Sequence, residues 1–543
     1  MNKNEKKNIS GFGNQNLEIR KLVDWAGDFA KCPDTPLSKY RYPNILIPLI
    51  SFVIATILFT AQAQANNVAV SSPVITGQNT AAKTCKIQFA ISWENSWRNS
   101  LNYDAAWVFI KYSTDAGATW SHATLKTTGG GTDPVGFSEG TATVGGVSKL
   151  LNIVVPSDNK GAFIQISSAA TGSGTLSATG LQFVWDWGSD KLSSDGVTAI
   201  SSATSARVKV FAVEMVYIPL GTFSAGSGGA ETSCFIKTMI NTVSAATAPS
   251  GSPPYGGYPS GQTAPNASWP NGYSAFYAMK YELSQEQYVD FFNTLTSAQK
   301  TTRDITGGVL NVTGKADDAE VNRNTISWTS GDATAGANAN VACNFLSWAD
   351  LIAYADWAGL RPFTELEFEK ACRGIAAAVA NEYAWGTATI AASVYTLSNE
   401  GTAAEGIDTN YQTTLGNCIY NATYSNPVRC GIFAAHASNA KRITAGASYY
   451  GVMELSGNLW ERPVTIGHAT GRSFTGLHGD GSLDASGNAN TANWPGTDAA
   501  GSGFRGGGWG YDAPYGRMSD RNRAASIVTD RCDDSGGRCA RTP

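Results

Sequence analysis

The chain has 543 residues, of which 15% are charged and 42% hydrophobic, with 58 Gly and 15 Trp. This size suits roughly two to four domains, and the composition favours a β-rich or loop-rich secreted fold over a charged helical cytosolic one. The net charge of −4 without a Lys/Arg run excludes a nucleic-acid-binding surface, and four scattered histidines disfavour histidine-based metal or general-base chemistry.

The N-terminus predicts export. Residues 1–41 form a polar extension, and residues 42–65 have the layout of a secretory signal: Lys39 and Arg41, an apolar stretch at 45–59, and the cleavage site Ala63-Gln64-Ala65. The apolar stretch is short of the about 20 residues that span a bilayer. We therefore expect a secreted or cell-surface protein, with membrane attachment only if this segment remains as an uncleaved anchor.

Residues 66–212 predict a first domain that is all β. Short β-branched and aromatic runs alternate with Gly/Ser/Asp/Asn turns: KIQFAISW, AAWVFIKYS, LLNIVVP, AFIQISS, LQFVWDW and RVKVFAV. Several short strands at this spacing predict an antiparallel β-sandwich. Its tryptophans could form a ligand-stacking surface for carbohydrate or simply fill the core: Trp93, Trp97, Trp107, Trp120, Trp185 and Trp187.

Residues 213–543 predict a second domain of α+β type. Residues 222–275 are rich in Gly, Ser, Pro and Ala and indicate a long surface insertion. Helical patterns occupy 284–295 and 347–358, and a third helix begins at Thr364, where Thr364 and Glu367 form a capping-box signature. After Gly374 the chain loses periodicity, so calcium, tryptophan plugs or disulfides are expected to hold the loops.

Eight of the nine cysteines follow residue 65. An exported chain can keep disulfides. Two local pairs fit these positions, Cys418 with Cys430 and Cys532 with Cys539, although sequence does not fix the connectivity.

Seven blocks in the second domain carry a family resemblance. They are MVYIPLGTF (215–223), YAMKYELSQEQYVDFF (277–292), SWADLIAYADWAGLRPFTELEFEKACRG (347–374), EYAWG (382–386), GVMELSGNLWER (451–462), FRGGGWG (504–510) and GGRCAR (536–541). In this order they resemble the formylglycine-generating-enzyme, or sulfatase-modifying-factor, family. The resemblance implies a variant of the C-type-lectin fold that is rich in irregular loops.

Catalysis is not expected. In active enzymes of this family a cysteine pair after the glycine-rich strand binds Cu(I), because soft thiolates hold that ion. The matching stretch, GYDAPYGRMSDRNRAA (510–525), has no cysteine and no histidine, and Cys532 and Cys539 match the family's closing strand instead. Related nonheme-iron enzymes take their histidines from a helical bundle that this chain lacks. We therefore assign no catalytic residue and expect neither copper nor iron.

The resemblance also implies a structural calcium site. Hard oxygen donors closely spaced along an irregular loop suit Ca²⁺. The ligands carried over are Glu454, the carbonyls of Gly457 and Leu459, and Glu461, with a second site using Asn399 and the carbonyl of Glu400. The alternative is that Glu454 and Glu461 are ordinary surface carboxylates.

The segment after the glycine-rich strand predicts a binding face. Tyr and Arg on a rigid frame are favoured at recognition hot spots, and similar folds serve as variable ligand-binding proteins. The candidate residues are Trp509, Tyr511, Asp512, Tyr515, Arg517, Asp520, Arg521 and Arg523. Alternatively, the last four make internal salt bridges.

Taken together, these patterns predict an exported, non-catalytic binding or structural protein with a calcium-stabilised scaffold. Its expected partner is an extracellular protein or glycan. The alternatives are an active oxidase of the formylglycine-generating or nonheme-iron type, and a carbohydrate-binding surface protein.

Overall fold

The computed structural model describes residues 68–169, 173–190, 206–243, 265–439 and 441–543. The predicted polar extension, the predicted export signal at 42–65 and residues 244–264 of the predicted insertion lie outside the described residues. All described residues belong to one compact unit, Gln62–Pro543. Within them, every helix is too short or too polar to cross a bilayer.

Antiparallel strands account for most of the regular structure. In chain order they are β1 (Ala69–Val70), β2 (Val74–Asn79), β3 (Thr84–Ser96), β4 (Asp104–Ser113), β5 (Ser121–His122), β6 (Gly131–Thr132), β7 (Thr141–Val144), β8 (Val147–Lys149), β9 (Leu151–Val155), β10 (Ala162–Ile166), β11 (Gly174–Trp185), β12 (Arg207–Ile218), β13 (Phe223–Ala225), β14 (Thr238–Ile240), β15 (Phe276–Met279), β16 (Arg361–Pro362), β17 (Thr396–Ser398), β18 (Gly406–Thr409) and β19 (Cys539–Arg541).

The helices are few and short. They are α1 (Gln285–Phe292), α2 (Ser297–Arg303), α3 (Trp348–Trp357), α4 (Glu365–Arg373) and α5 (Ala469–Arg472), with 3₁₀ turns at Gly336–Asn338 and Ala513–Gly516.

Two large sheets organise the strands. One has the order β1-β3-β11-β7-β8, with β2 also paired to β3, and the other has the order β16-β19-β15-β12-β4-β10-β9-β6, with β5 paired to β4. Buried and partly exposed residues alternate along β3, as expected for a strand with one face in a core. Side chains from β3 and β11 of the first sheet and from β4, β9 and β10 of the second share one apolar cluster.

Four of the six tryptophans in the first predicted domain are core residues. Trp93, Trp107 and Trp185 are fully buried and Trp187 is 2% exposed, so a ligand-stacking surface built on these four is wrong. Their indole rings fill the apolar clusters because burying such large surfaces is favourable. Trp97 and Trp120 are partly exposed, and the Lys209 ammonium lies 5.0 Å from the Trp120 ring.

Strand β12 joins the N-terminal and C-terminal regions in one sheet. It pairs with β4 from Arg207 to Val216 and with β15 from Met215 to Ile218, so the predicted boundary at 212/213 falls inside a strand. Beside it, the buried Lys280 ammonium lies 3.1 Å from Asp104 and 3.0 Å from Glu214. An ion-paired core therefore spans both regions.

The predicted capping box opens α4. The Thr364 hydroxyl accepts from the Glu367 N–H at 3.2 Å, and the Glu367 carboxylate accepts from the Thr364 N–H at 3.1 Å. The helix ends at Gly374, whose φ of 62° is left-handed. A Cβ there would lie 2.2 Å from the Tyr449 ring, so only glycine fits.

Both predicted disulfides are wrong. All eight cysteines in the described residues are free. The Cys418 thiol donates to the Ser456 carbonyl at 2.9 Å, and the Cys430 thiol lies 3.6 Å from the Glu282 carbonyl. Each thiol lies in its own buried environment, where it packs as a small apolar group.

The second pair is separated in the same way. Cys539 is buried within β19, where its N–H contacts the Met279 sulfur at 3.2 Å. Cys532 precedes that strand in a partly exposed loop, with its sulfur 3.9 Å from the Asn311 carbonyl. Burial raises the pKa of the Cys532 thiol to about 11, so this group is protonated at neutral pH.

Candidate functional site

A buried ion-pair network forms the frame behind the predicted binding segment. The Glu365 carboxylate of α4 lies 3.2 Å from Arg505 and 2.7 Å from Arg521. Glu369, one turn later, lies 2.9 Å from Arg505 and 3.2 Å from Arg373. All five side chains are fully buried. The network fixes the glycine-rich segment 504–510 and the residues after it to α4.

Arg521 is therefore a structural residue. Its guanidinium forms an ion pair with Glu365 and stacks 3.7 Å from the centre of the Phe235 ring. Asp520 beside it is 5% exposed and accepts from the Asn522 N–H at 3.1 Å. Burial raises the Asp520 pKa to about 6. Neither residue is placed to meet a ligand. Arg521 makes the predicted internal salt bridge, with Glu365, whereas Asp520 forms no ion pair within the described residues and accepts backbone hydrogen bonds instead.

Two further candidates are largely engaged within the protein. Trp509 is partly buried; its backbone N–H donates to the Asn458 carbonyl at 2.8 Å and its indole N–H to the Asp533 carbonyl at 3.0 Å. Arg517 is partly buried and donates to the Asn381 side chain at 3.3 Å. These hydrogen bonds hold the loop in place, so Trp509 and Arg517 have few groups left to contact a ligand.

The remaining candidates come together at the surface. The Tyr511 and Tyr515 rings pack edge to face, 5.2 Å apart, and both stand over Trp460, at 5.0 and 5.9 Å. The Arg523 guanidinium lies 5.0 Å from the centre of the Tyr511 ring. Tyr511, Asp512, Tyr515 and Arg523 are called the open face below.

Local sequence explains this arrangement. Pro514 is the second residue of the 3₁₀ turn Ala513–Gly516, for which its fixed φ is suited. Gly507 has a left-handed φ of 74°, and a Cβ there would lie 2.9 Å from the Gly516 nitrogen. The turn can therefore rest directly on the glycine-rich segment. Tyr511, just before the turn, and Tyr515, within it, both pack against Trp460.

The predicted calcium loop is buried, which excludes the surface-carboxylate alternative. Glu454 is 6% exposed and Glu461 is 1% exposed. The Glu454 carboxylate accepts from the Gly431 N–H at 2.9 Å, and that of Glu461 pairs with Arg538 at 2.5 Å.

A third carboxylate, that of Glu282, holds the loop itself. It accepts from the Asn458 side-chain amide at 2.5 Å and from the Leu459 N–H at 2.9 Å. Glu282 is 1% exposed. Three buried carboxylates thus share one ion-paired guanidinium, that of Arg538, while Arg429 acts on Glu454 from farther away.

The same loop has unused oxygen donors. One carboxylate oxygen of Glu454 and one of Glu461 are buried without a hydrogen-bond partner. The carbonyls of Gly457 and Leu459 likewise receive no hydrogen bond from the described residues. These are the four predicted ligands, and hard oxygens with spare lone pairs beside excess negative charge fit Ca²⁺.

Burial raises the pKa values of all three carboxyl groups, and mutual repulsion adds to the effect at Glu282 and Glu454. Burial, followed by the charge of Glu461, raises the Glu282 pKa well above its ordinary value. Burial raises the Glu454 pKa to about 7, against the opposing pull of Arg538. Burial also raises the Glu461 pKa, again opposed by Arg538. The loop is electrostatically undercompensated as it stands.

The second predicted calcium pair lies in a different environment. The Asn399 amide donates to the Ala404 carbonyl at 3.4 Å. The Glu400 carboxylate is 55% exposed, lies 3.6 Å from Arg323 and accepts from the Tyr424 hydroxyl at 2.7 Å. Both side chains thus have partners within the protein, and the second site stays a prediction.

Side-chain clusters of the redox-metal type are missing from the part of the chain described. No three His, Cys, Asp or Glu side chains there converge as a metal site would require. The calcium loop would rely instead on two carboxylates and two carbonyls. Residues 510–525, all of them described, contain no cysteine or histidine.

Sequence reasoning missed Trp460, Glu282 and Arg538. Trp460 is the floor of the open face, and its buried indole N–H has no partner among the described residues. All three lie within quoted sequence blocks, at 451–462, 277–292 and 536–541. Other charged residues stand in the same two blocks, among them Lys280, Glu286 and Arg541, so the sequence carried no signal that singled out Glu282 or Arg538.

A family model supports the predicted family of the C-terminal region. Residues 201–543 match the family model described as Sulfatase-modifying factor enzyme 1-like domain. Among solved structures the chain is similar to Treponema denticola variable protein 1, with 14% identity, 61% of this chain and 96% of that chain covered, and a TM-score of 0.26. None of the curated proteins compared with the chain matches it.

Proposed function

Because the chain belongs to the family of sulfatase-modifying factor enzyme 1-like domains, we propose that it is an exported, non-catalytic binding protein that presents a ligand-binding face on this domain. The open face carries the proposal: two tyrosines and an arginine stand at the surface over buried Trp460. Tyr and Arg on a rigid support give large contact area at low entropic cost.

The support beneath the face favours binding over turnover. Arg505 and Arg521 lock the segment to α4 through fully buried ion pairs, so the open face is pre-organised. Residues 510–525 offer no thiol to hold Cu(I) and no imidazole to act as a base. The proposed partner is an extracellular protein or a glycan. Membrane contact would follow only if residues 42–65 stay as an anchor.

Calcium is the proposed structural cofactor. Glu454 and Glu461 would hold it through their unpaired oxygens, together with the carbonyls of Gly457 and Leu459. The ion would supply positive charge to three buried carboxylates and fix the loop that precedes the glycine-rich segment. This role needs no redox chemistry.

The N-terminal region is proposed to be a β-sandwich. Support comes from the apolar cluster shared by β3 and β11 on one side and β4, β9 and β10 on the other. Facing sheets with alternating inward residues are the usual basis of that architecture.

Metal content and oxygen uptake test this proposal. The full chain is purified without added metals, dialysed against CaCl₂ and analysed by mass spectrometry for calcium, copper and iron. Oxygen uptake is then followed with a cysteine-containing peptide and a thiol reductant, before and after Cu(I) is added. We expect bound calcium and no protein-dependent uptake.

A matched pair of variants identifies the metal site. E461Q should lose bound calcium, whereas E400Q, changed in the exposed second pair, should retain it. Stoichiometric Cu(I) with peptide-dependent oxygen consumption would instead establish the oxidase alternative and defeat the binding proposal.

A further inference from the structure

Arg523 has an unused set of donors. Its guanidinium makes no hydrogen bond or ion pair with the described residues and rests only on the Tyr511 and Trp460 rings, at 5.0 and 6.0 Å. Arg521, two positions earlier, is fully consumed by Glu365. A partly exposed guanidinium with unpaired N–H groups beside an aromatic ring is suited to a planar carboxylate.

The two tyrosines offer both aromatic surface and hydroxyl groups to a ligand. Their rings stand nearly perpendicular to each other, at 74°, so that they offer both a face and an edge. Neither hydroxyl is bonded to another described residue. Aromatic faces take up the apolar C–H side of a ring, while phenol hydroxyls bond to polar substituents at its rim.

Acidic neighbours limit the charge of the ligand. Asp512 is exposed at one side of the open face. Asp534 lies near enough to Arg523 for the guanidinium to lower its pKa, although burial and repulsion by Asp533 raise that pKa to about 6 overall. A ligand with many anionic groups would meet strong repulsion here, whereas the charge of a single anionic group can be balanced by Arg523.

The backbone argues against an extended peptide. The open face consists of a 3₁₀ turn and adjoining loops, and none of its four residues belongs to a strand. The nearest strand along the chain, β19, is already paired on both sides, with β15 and β16. Strand addition, which gives peptides much of their affinity, therefore has no edge to use here.

We infer that the open face binds a sugar bearing a single carboxylate, with Arg523 holding the carboxylate and the two tyrosines holding the sugar ring. This inference rests on the proposed binding function and specifies its ligand.

The test uses the full chain on an array of short oligosaccharides that end in a sialic, glucuronic or galacturonic acid. Each is printed beside its methyl ester, which removes the charge and keeps the sugar. Neutral parent sugars, a heparin hexasaccharide and a glutamate-rich peptide are included. We expect binding to at least one acidic sugar, with a loss of about tenfold or more on esterification.

R523Q should cause a similar loss, and R523K should retain part of the binding. R98Q is the matched control, because the Arg98 guanidinium also stacks on a tyrosine, 4.1 Å from the Tyr103 ring, but in the N-terminal region. It should bind as the unaltered chain does. Thermal unfolding of each variant verifies that it is folded.

Other outcomes overturn the inference. Equal binding of acid and ester, preference for heparin or the peptide, or full binding by folded R523Q would each exclude a carboxylate held by Arg523. Binding to no sugar would exclude the ligand class. The proposed function fails separately, through peptide-dependent oxygen uptake, so the two failures are distinguishable.

Discussion

The two predicted calcium loops carry similar residues but differ in charge balance. The buried carboxylates of Glu454 and Glu461, and that of Glu282 beside their loop, share one ion-paired guanidinium. One oxygen of Glu454 and one of Glu461 have no hydrogen-bond partner among the described residues. At 399–405, the buried Glu405 carboxylate is bonded to the Arg323 guanidinium and the Arg429 backbone, and Glu400 is exposed to solvent. An acidic residue in a loop therefore indicates a cation site only where the fold provides no ion pair or hydrogen bond that balances its charge.

The largest effect is expected from removing the Arg538 guanidinium, which pairs with Glu461 of the first loop. R538Q leaves Glu461 without its ion pair, and breaking a buried pair costs about 3–5 kcal/mol. Saturating calcium should restore part of that free energy of unfolding. R323Q, the counterpart in the second loop, should be destabilised without calcium rescue. Urea unfolding in EDTA and in CaCl₂ measures both, and identical behaviour of the two variants would erase the contrast.

The pH dependence of the metal-free protein should have an unusual sign. Burial raises the Glu454 pKa from 4.5 to about 7, so the native state binds a proton that the unfolded state has released. The free energy of unfolding in EDTA should therefore fall as pH rises from about 4.5 to 7, by up to about 3 kcal/mol.

With calcium present that slope should reverse, because protons and the ion compete for the same carboxylate. E454Q should flatten both profiles. Urea midpoints across this pH range provide the measurement, and a rise in stability with pH in EDTA that depends on Glu454 would contradict the assignment.

Calcium itself should stabilise the unaltered chain by about 2.7 kcal/mol at one hundred times the dissociation constant. Thermal unfolding against calcium concentration gives this value. E461Q should show no calcium-dependent shift. A shift that persists in E461Q would place the ion elsewhere.

The smallest effect is expected at the exposed side of the second loop. Glu400 lies 3.6 Å from Arg323 with its side chain 55% exposed, so E400Q should change the free energy of unfolding by less than about 1 kcal/mol. Its calcium response should equal that of the unaltered chain. A large loss in either measurement would show that the second loop also depends on an ion.

The sequence blocks predicted the family of the C-terminal domain, which is confirmed, and the β-rich character of the chain. They did not reveal that β12 continues through the predicted boundary, because alternation within a strand does not name its partners. Nor could spacing separate Arg521 from Arg523. Both follow the same glycine-rich strand, and only the position of α4 decides which guanidinium is buried.

The predicted calcium loop shows the same limit. Its four oxygen donors were predicted from one contiguous block, but Glu282 bonds to Leu459 across 177 residues and Arg538 reaches Glu461 across 77. Such distant partners set the charge balance, and no local pattern encodes them. The disulfide predictions failed for a related reason, since proximity in sequence did not bring either pair of sulfurs together.

Strand β19 has a consequence for how the chain is made. It lies between β15 and β16, and its last residue, Arg541, pairs with Asp158, 383 residues earlier. Because a chain is synthesised from its N-terminus, the sheet that contains β19 cannot be completed until the last residues have been made. Forming contacts between residues so far apart in sequence is slow. The sheet should therefore form late. Until then the edges of β15 and β16 are unpaired, and chaperones or partner chains have time to bind them.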